Sequence, residues 1–225
     1  MGRRAIALTR ERRYWRAGFQ HIAGVDEVGC GSLAGPVVAA AVVLPVEGGV
    51  KGAVDSKLLG PSERERIADR VLEQALAVGI GAASAREIET LNIRRATGLA
   101  MERALGRLAI EPDCVLIDGR PQPSLGDHIA IVKGDRKCHS IACAAIVAKV
   151  TRDRLMTRLS RNYPDYGWDH NAGYGTKDHR AALDQLGVTP HHRRTFLGVQ
   201  LALELDVGGN VDPKECVGNA DQEEH

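Results

Sequence analysis

The sequence lacks a strong net charge, a paired-cysteine motif and an apolar run long enough to span a membrane. Its 30 Lys and Arg residues nearly balance 29 Asp and Glu residues, which leaves a formal net charge of +1. Overall charge therefore gives no reason to expect a nucleic-acid partner, and any such case must rest on a local patch. The five cysteines include no Cys-x-x-Cys pair, which argues against a disulfide framework and a zinc site.

The longest apolar run, residues 37–46, is too short for a membrane span, and no secretory hydrophobic segment opens the chain. These features predict a reduced, soluble, cytoplasmic protein. The 225 residues are enough to bury one sizeable core. We expect a basic N-terminal extension at 1–19, one folded domain at 20–206 that ends in helices, and a disordered polar tail at 207–225. The arginine-rich opening is interpreted as a solvated, partly frayed terminus.

Hydrophobic periodicity predicts an α/β fold. Strands are predicted at 21–28, 37–46, 78–84, 114–118 and 128–135, and helices at 61–77, 92–109, 140–163, 177–186 and 194–205. The first half of the longest helix is almost wholly apolar, so we expect it to be buried. Strands that come first, followed by alternating helices and strands, indicate a mixed β-sheet covered by helices.

Three of these strands bring carboxylates to their C-terminal ends or to the turns that follow. The acids are Asp26 and Glu27 in the first strand, Asp118 at the end of "CVLID", and Asp135 after "IAIVKG". In an open α/β sheet such strand ends line the functional crevice. A single strand-end aspartate is usually a helix cap or a turn residue, and Asp135 could cap the long helix. Asp26 and Glu27 precede a strand-to-strand turn, which has no helix to cap.

Four grouped carboxylates need compensating charge, because two unit charges ~4 Å apart repel by about 4 kcal/mol at an effective dielectric constant of ~20. Two divalent cations would balance them, and all-oxygen ligands favour Mg²⁺ or Mn²⁺. A pair of such ions supports phosphodiester hydrolysis by activating water and stabilising the leaving oxygen. Adjacent residues of a regular strand point to opposite faces, so Asp26 and Glu27 reach one site only if the strand ends or bulges there.

Eight motifs, in family order, resemble the ribonuclease HII (type 2 ribonuclease H) family and cover residues 20–200. They are "DEVGCGSLAGPVVAAA" at 26–41, "DSKLL" at 55–59, "NIRRAT" at 92–97, "LIDG" at 116–119, "KGD" at 133–135, "IVAKVTRD" at 146–153, "GYGT" at 173–176 and "HHRRTF" at 191–196. The resemblance implies a ribonuclease H-like mixed sheet flanked by helices, with a C-terminal helical appendage, so that 20–206 would be the catalytic domain.

The resemblance also implies an activity. The expected enzyme is a two-metal-ion endonuclease that hydrolyses the RNA strand of RNA–DNA hybrids and cuts 5′ to ribonucleotides embedded in duplex DNA. It would leave 3′-hydroxyl and 5′-phosphate ends and so serve in the removal of ribonucleotides from DNA. We expect a monomer, and a sliding-clamp partner has no support in the sequence.

The resemblance assigns residues to these roles. Asp26, Glu27, Asp118 and Asp135 would be the catalytic, metal-binding acids, and the metal Mg²⁺ or Mn²⁺. The backbone of Gly29, Cys30 and Gly31 would read ribose 2′-hydroxyl groups, which distinguish RNA from DNA. Tyr174 would lie at the RNA–DNA junction. Lys57 and Lys149 fit phosphate contacts.

Two departures from the family pattern bear on substrate binding. Cys30 stands where the family has the arginine of its Gly-Arg-Gly loop, and Ala172 stands where it usually has a lysine before Gly-Tyr-Gly. Any guanidinium contact to phosphate from position 30 is lost. The acids are intact, so we expect hydrolysis to survive, with the balance between single-ribonucleotide and long-hybrid cleavage open to change.

Other readings compete with this one. The sister type 3 ribonuclease H shares the acidic site but carries an extra N-terminal domain. A non-catalytic duplex-binding protein is suggested only by Cys30 and Ala172, and a strand-transfer nuclease only by the acids. His170 and His179, near Tyr174, are interpreted as ordinary exposed histidines.

Overall fold

The computed structural model describes residues 6–200. Its strands are β1 (Ile22–Val28), β2 (Val37–Val43), β3 (Ala77–Ala83), β4 (Cys114–Asp118) and β5 (Ile129–Ile131). Its helices are α1 (Thr9–Arg16), α2 (Pro61–Gln74), α3 (Ala85–Leu91), α4 (Ile93–Leu105), α5 (His139–Ser160), α6 (Trp168–Asn171) and α7 (Lys177–Leu186). None of the helices in the described part of the chain has the length and apolar character needed to cross a membrane.

The strands form one mixed sheet in the order β3-β2-β1-β4-β5. β1, β2 and β3 pair antiparallel, with a short loop between β1 and β2 and a long connection that contains α2 between β2 and β3, whereas β4 and β5 run parallel to β1. The C-terminal ends of β1, β4 and β5 therefore lie at the same edge. The predicted mixed sheet covered by helices is confirmed.

Helices cover both faces of the sheet. On one face α2 and α5 bury a core around Val42, Val71 and Ile146. On the other, α4 packs over Val25 and Ile117. The apolar first half of α5 is buried, as its sequence predicts. Gly24 lets α5 approach β1 closely, because a Cβ at this position would collide with the backbone of Ser140.

A third cluster attaches the C-terminal helices to the domain. Trp168 and Leu183 pack with Leu33, Ala34 and Met156, which precede them in the chain. The described residues thus contain the predicted C-terminal appendage as α6 and α7. Residues 197–200 are helical, so the helix predicted at 194–205 begins later; its end, like the tail predicted at 207–225, lies outside the described residues.

The helix predicted at 92–109 is present as α4, which begins at Ile93 and ends at Leu105, and the structure has a further helix, α3, directly before it. Asn92, with φ of 66°, separates α3 from α4, and its side chain accepts hydrogen bonds from the N–H groups of Arg94 and Arg95. α3 begins with a capping box formed by Ser84 and Glu87. α3 was not predicted because this short, mostly polar segment has too few apolar residues to show a helical repeat.

The interpretation of the opening as a frayed terminus is wrong for residues 9–16, which form α1. Trp15 is buried beside Ile22 and Ile141. Glu11 is also buried, and its Oε1 accepts hydrogen bonds from the backbone N–H of Ser140 (2.8 Å) and from its hydroxyl group (2.9 Å). α1 therefore packs against the start of α5.

Candidate active site

The four acids predicted as a group line one cleft of about 330 Å³. β1 keeps its regular pairing with β2 as far as Val28, but its parallel pairing with β4 ends at Val25. Asp26 and Glu27 therefore lie where β1 and β4 separate, and both reach the cleft although they leave the strand on opposite faces. The strand does not bulge here. Asp118, the last residue of β4, completes this wall.

Asp135 enters the cleft from a 3₁₀ turn rather than from a strand. The strand predicted at 128–135 ends at Ile131, because Lys133 adopts a left-handed conformation with φ of 57° and Gly134–Arg136 form the turn. Asp135 does not cap α5, whose N-cap residue is Cys138. Asp118 holds this turn in place, since its Oδ1 accepts a hydrogen bond from the Gly134 N–H at 2.6 Å.

Burial and mutual repulsion make the charged form of these acids costly. Burial, and then the charges of Glu27 and Asp118, raise the pKa of Asp26 well above its usual range. Burial and the charge of Asp118 raise the pKa of Glu27 to about 6. The pKa of Asp135 is also raised, by burial first and then by Asp118, although Lys57 opposes this shift. The cleft thus favours positive counter-charge.

The donor set fits divalent cations by its chemistry, because it supplies only carboxylate oxygens in a strongly negative cleft. Within residues 6–200, no three His, Cys, Asp or Glu side chains form a ready-made metal cluster. The carboxylates instead bond to protein groups nearby. Oδ1 of Asp26 accepts from the Glu27 N–H at 2.7 Å, and Oδ2 of Asp135 lies 3.7 Å from the Lys57 ammonium group.

Lys57 lines the cleft and is largely exposed. It lies in the 3₁₀ turn Ser56–Leu58, whose N-cap is the buried Asp55. Oδ1 of Asp55 accepts from the Lys57 N–H at 3.0 Å, and its Oδ2 accepts from Arg136 Nε at 2.9 Å. Asp55 thereby joins the turn that carries Lys57 to the turn that carries Asp135. The "DSKLL" motif was the sequence signal for this arrangement.

Lys149 and Tyr174 line the same cleft. Nζ of Lys149 lies 2.7 Å from Oδ1 of Asp153 and 5.9 Å from the centre of the Tyr174 ring. The ring is partly exposed and so remains accessible to a ligand.

The backbone of Tyr174 is fixed by His179, which is buried, so the interpretation of His179 as exposed is wrong. Trp168 Nε1 donates to His179 Nε2 at 3.1 Å. Because Nε2 accepts, the proton of this imidazole is on Nδ1, which donates to the Tyr174 carbonyl oxygen at 2.9 Å. His192 Nε2 also lies 3.1 Å from His179 Nε2. Burial lowers the pKa of both histidines.

The loop Gly29–Gly31 leaves β1 directly after the acids and lies beside the cleft wall. The side chain of Cys30 bonds within the protein: its Sγ is 3.4 Å from Oγ1 of Thr97 and donates to Oε1 of Glu27 at 3.7 Å. Burial, and then the charge of Glu27, raise the pKa of the thiol to about 11, so it stays protonated. Within the described residues, the N–H groups of Cys30 and Gly31 donate to no other protein group.

Two buried guanidinium groups, not singled out from the sequence, support this loop from behind. Arg152 donates from Nε to Pro36 O (2.9 Å), from Nη1 to Ala172 O (2.9 Å) and from Nη2 to Ala34 O (3.1 Å). Its Cζ lies 5.6 Å from the centre of the Tyr174 ring. Gly29, with φ of 94°, makes room for Arg152, since a Cβ there would collide with the guanidinium group.

Arg193 is the second of these groups. Its Nε donates to Gly35 O at 3.0 Å and its Nη1 donates to Cys30 O at 3.0 Å. Burial, and then the charge of Arg152, lower the pKa of Arg193 to about 10, so it remains charged at neutral pH. Arg193 thus holds the Cys30 carbonyl group of the loop. Arg152 connects the segment that follows the loop, at Ala34 and Pro36, with Ala172 near Tyr174.

Comparisons with known proteins agree on one family. Residues 23–199 match the family described as Ribonuclease HII. A protein named Ribonuclease HII from Thermosynechococcus vestitus is 53% identical over 195 residues, which are 85% of this chain and 91% of that protein. Another of the same name, from Synechococcus sp., is 51% identical over 203 residues, which are 88% of this chain and 91% of that protein.

Solved structures give the same fold. The ribonuclease H2 of Pyrococcus horikoshii OT3 superposes with a TM-score of 0.70 at 26% identity and covers 82% of this chain and 97% of that chain. Bst-RNase HIII, solved in complex with Mn²⁺, gives a TM-score of 0.69 at 21% identity over 83% of this chain and 70% of that chain. At this identity the second likeness shows the fold alone.

Proposed function

The chain belongs to the ribonuclease HII family of metal-dependent endonucleases that act on RNA–DNA hybrids, and from that premise we propose that Asp26, Glu27, Asp118 and Asp135 carry its catalysis. The reaction is hydrolysis of the RNA strand of a hybrid and cleavage 5′ to a ribonucleotide embedded in duplex DNA. Each cut leaves a 3′-hydroxyl and a 5′-phosphate. Removal of ribonucleotides from DNA is the role of the family.

One observation carries the proposal: four carboxylates from β1, β4 and the turn after β5 line a single cleft together with Lys57, Lys149 and Tyr174. A site built only for stability has no need to bury acids that raise one another's pKa. A pure duplex-binding protein would be hindered by the same acids, because they repel phosphate.

We propose Mg²⁺ or Mn²⁺ as the cofactor, held by these four acids. When bound, divalent cations would neutralise the phosphate, activate the attacking water and stabilise the leaving oxygen. The raised pKa values of Asp26 and Glu27 support the need for such counter-charge. Oδ1 of Asp118 keeps its hydrogen bond to Gly134, so this acid also fixes the turn that presents Asp135.

Substrate recognition falls to the groups beside the acids. The N–H groups of Cys30 and Gly31, which have no protein acceptor among residues 6–200, suit the oxygen of a ribose 2′-hydroxyl. The partly exposed ring of Tyr174 suits stacking on a sugar at the junction. Lys57 and Lys149 suit the flanking phosphates. The thiol of Cys30 points to Thr97, so the loop would read the ribose through its backbone without the arginine that is usual in the family.

We further propose that the enzyme acts as a monomer in a reducing, cytoplasmic setting. Four free cysteines among residues 6–200 suit such a setting.

The test is cleavage of three labelled duplexes: DNA with one ribonucleotide, a continuous RNA–DNA hybrid, and all DNA. Each is incubated with Mg²⁺, Mn²⁺ or EDTA. We expect metal-dependent cutting 5′ to the single ribonucleotide and within the hybrid, and none of all-DNA. Asp118→Asn should lower kcat/KM by about 10³-fold, which corresponds to about 4 kcal/mol of transition-state stabilisation.

The matched control is Asp127→Asn, an exposed aspartate outside the cleft, which should cut at the wild-type rate. Equal activity of Asp118→Asn and Asp127→Asn would contradict the assignment of the acids. Cutting of the hybrid without the single-ribonucleotide duplex would contradict the role given to the loop and to Tyr174.

A further inference from the structure

A second groove, of about 630 Å³, opens from the catalytic cleft. It runs between α2, α5 and α6, and Arg64 and Lys149 line both the groove and the cleft. It lies on the Tyr174 side of the acids, because Lys149 packs over that ring. The proposed catalytic mechanism does not use this second groove.

Arginines on one face of α5 line the groove. Arg154 and Arg158 lie in α5, and Arg161, in helical conformation, is its C-cap. Spacings of four and three residues place them on one side, and we call them the arginine face. They extend over about 10 Å of helix, at about 1.5 Å per residue. Duplex base pairs lie about 3.4 Å apart along the axis, so the arginine face spans the rise of about three base pairs.

The arginine face carries surplus positive charge. Arg154 pairs with Glu65 (3.3 Å) and Asp69 (3.8 Å). Arg158 and Arg161 are exposed, and neither has an acidic partner within residues 6–200.

Charge compensation is concentrated at the other end of the groove. There Asp153 lies 2.7 Å from Lys149 and 3.7 Å from Arg64. The groove as a whole is lined by five Lys and Arg residues and three acids. The excess charge therefore lies at the end of α5 that is distant from the cleft.

We propose that this groove binds the phosphate backbone of the substrate duplex beyond the cleavage site, on the Tyr174 side, through Arg158 and Arg161. This inference rests on the proposed function, because it adds a binding surface to the same substrate. The continuity of the groove with the cleft favours a nucleic-acid backbone over an acidic peptide, since one duplex can occupy both. Fork-shaped guanidinium groups suit phosphate oxygens. The arginine face supplies the local basic patch that the balanced net charge does not.

The test measures equilibrium binding of a labelled duplex with one ribonucleotide as a function of salt, in EDTA, by fluorescence anisotropy. Wild type is compared with Arg158→Gln/Arg161→Gln and with the control Arg13→Gln, an exposed arginine of α1 near the opposite end of α5. Each lost phosphate contact lowers the magnitude of the slope of log K against log salt concentration by about 0.9. We therefore expect this magnitude to fall by about 1.8 in the double variant and to stay unchanged in the control.

A second comparison locates the contact. Duplexes are lengthened by about three base pairs on one side of the ribonucleotide or on the other. This added length equals the rise that the arginine face spans. Wild type and Arg13→Gln should bind more tightly after lengthening on one side only, and the double variant should lose that gain.

Equal salt slopes for wild type and the double variant, or a length gain that survives the substitutions, would overturn the inference. Both readouts are binding measurements and need no cleavage. A wild type that binds but cuts none of the duplexes would therefore refute the proposed function, while the salt slope would still decide whether the groove binds phosphate.

Discussion

At the scale of single residues, the grouping of four acids in one cleft opposes the stability of the fold. Asp26 is 6% exposed and lies beside Glu27 and Asp118, so its charged form is costly. Sequence reasoning found the four acids, because strand ends meet at one edge of such a sheet. It did not find how Asp26 and Glu27 share the cleft, which depends on where β4 stops pairing with β1. Their role as metal ligands stays a prediction.

Asp26→Asn should make the metal-free protein more stable, because it removes a buried charge and its amide oxygen can still accept from the Glu27 N–H. A carboxyl group whose pKa is raised in the folded form keeps its proton, over a range of pH, after the same group in the unfolded chain has lost it. For Glu27 this window lies between 4.5 and about 6, and stability falls as the pH rises through it. We expect a higher melting temperature for the variant than for wild type at neutral pH in EDTA, measured by calorimetry.

Added Mn²⁺ should raise the melting temperature of wild type more than that of Asp26→Asn, because bound cations stabilise the folded form and the variant has lost one charged ligand. Asp184→Asn, at an exposed position of α7, should behave as wild type with and without metal. A lower melting temperature for Asp26→Asn than for wild type in EDTA would contradict this account.

At the scale of elements, the sequence predicts strands and helices with a hydrophobic repeat, and it misses turns and loops whose conformation depends on single contacts. All five strands and the long buried helix follow from hydrophobic patterning, and their boundaries shift by a few residues. The left-handed residue Lys133 ends a strand that the pattern continues, and the left-handed Asn92 separates α4 from a helix that the pattern does not predict, because no hydrophobic periodicity encodes a backbone reversal. The loop Gly29–Gly31 and the segment after it are likewise held by distant groups, Arg193 at Cys30 and Arg152 at Pro36, which patterning cannot relate to them.

Arg152→Met should destabilise the protein by several kcal/mol. The change leaves three carbonyl groups, those of Ala34, Pro36 and Ala172, without their donor. An unsatisfied buried polar group costs about 1–3 kcal/mol. Urea unfolding should show the loss. Arg66→Met, at an exposed position of α2, serves as the control and should change the free energy of unfolding by less than about 0.5 kcal/mol. Similar values for both variants would mean that Arg152 does not support the loop.

At the scale of the whole molecule, the start of α5 depends on a segment more than a hundred residues away. The N-cap residue of α5, Cys138, makes no side-chain capping bond. Glu11 of α1 supplies that function, because its Oε1 accepts from both the N–H and the hydroxyl of Ser140. A carboxylate at a helix N-terminus also interacts favourably with the helix dipole. The sequence could not reveal this contact, since capping patterns are local and Glu11 lies in a run that reads as a solvated basic terminus.

Glu11→Ala should therefore lower the free energy of unfolding by about 1–3 kcal/mol, the range for a buried polar group that loses its partner. Urea unfolding of the full chain measures the change, with Glu73→Ala, at an exposed position near the end of α2, as the matched control. Because the Ser140 N–H loses its acceptor, hydrogen exchange of the first turn of α5 should accelerate in the variant. If Glu11→Ala is as stable as the Glu73→Ala control and its hydrogen exchange is unchanged, α1 does not stabilise the start of α5.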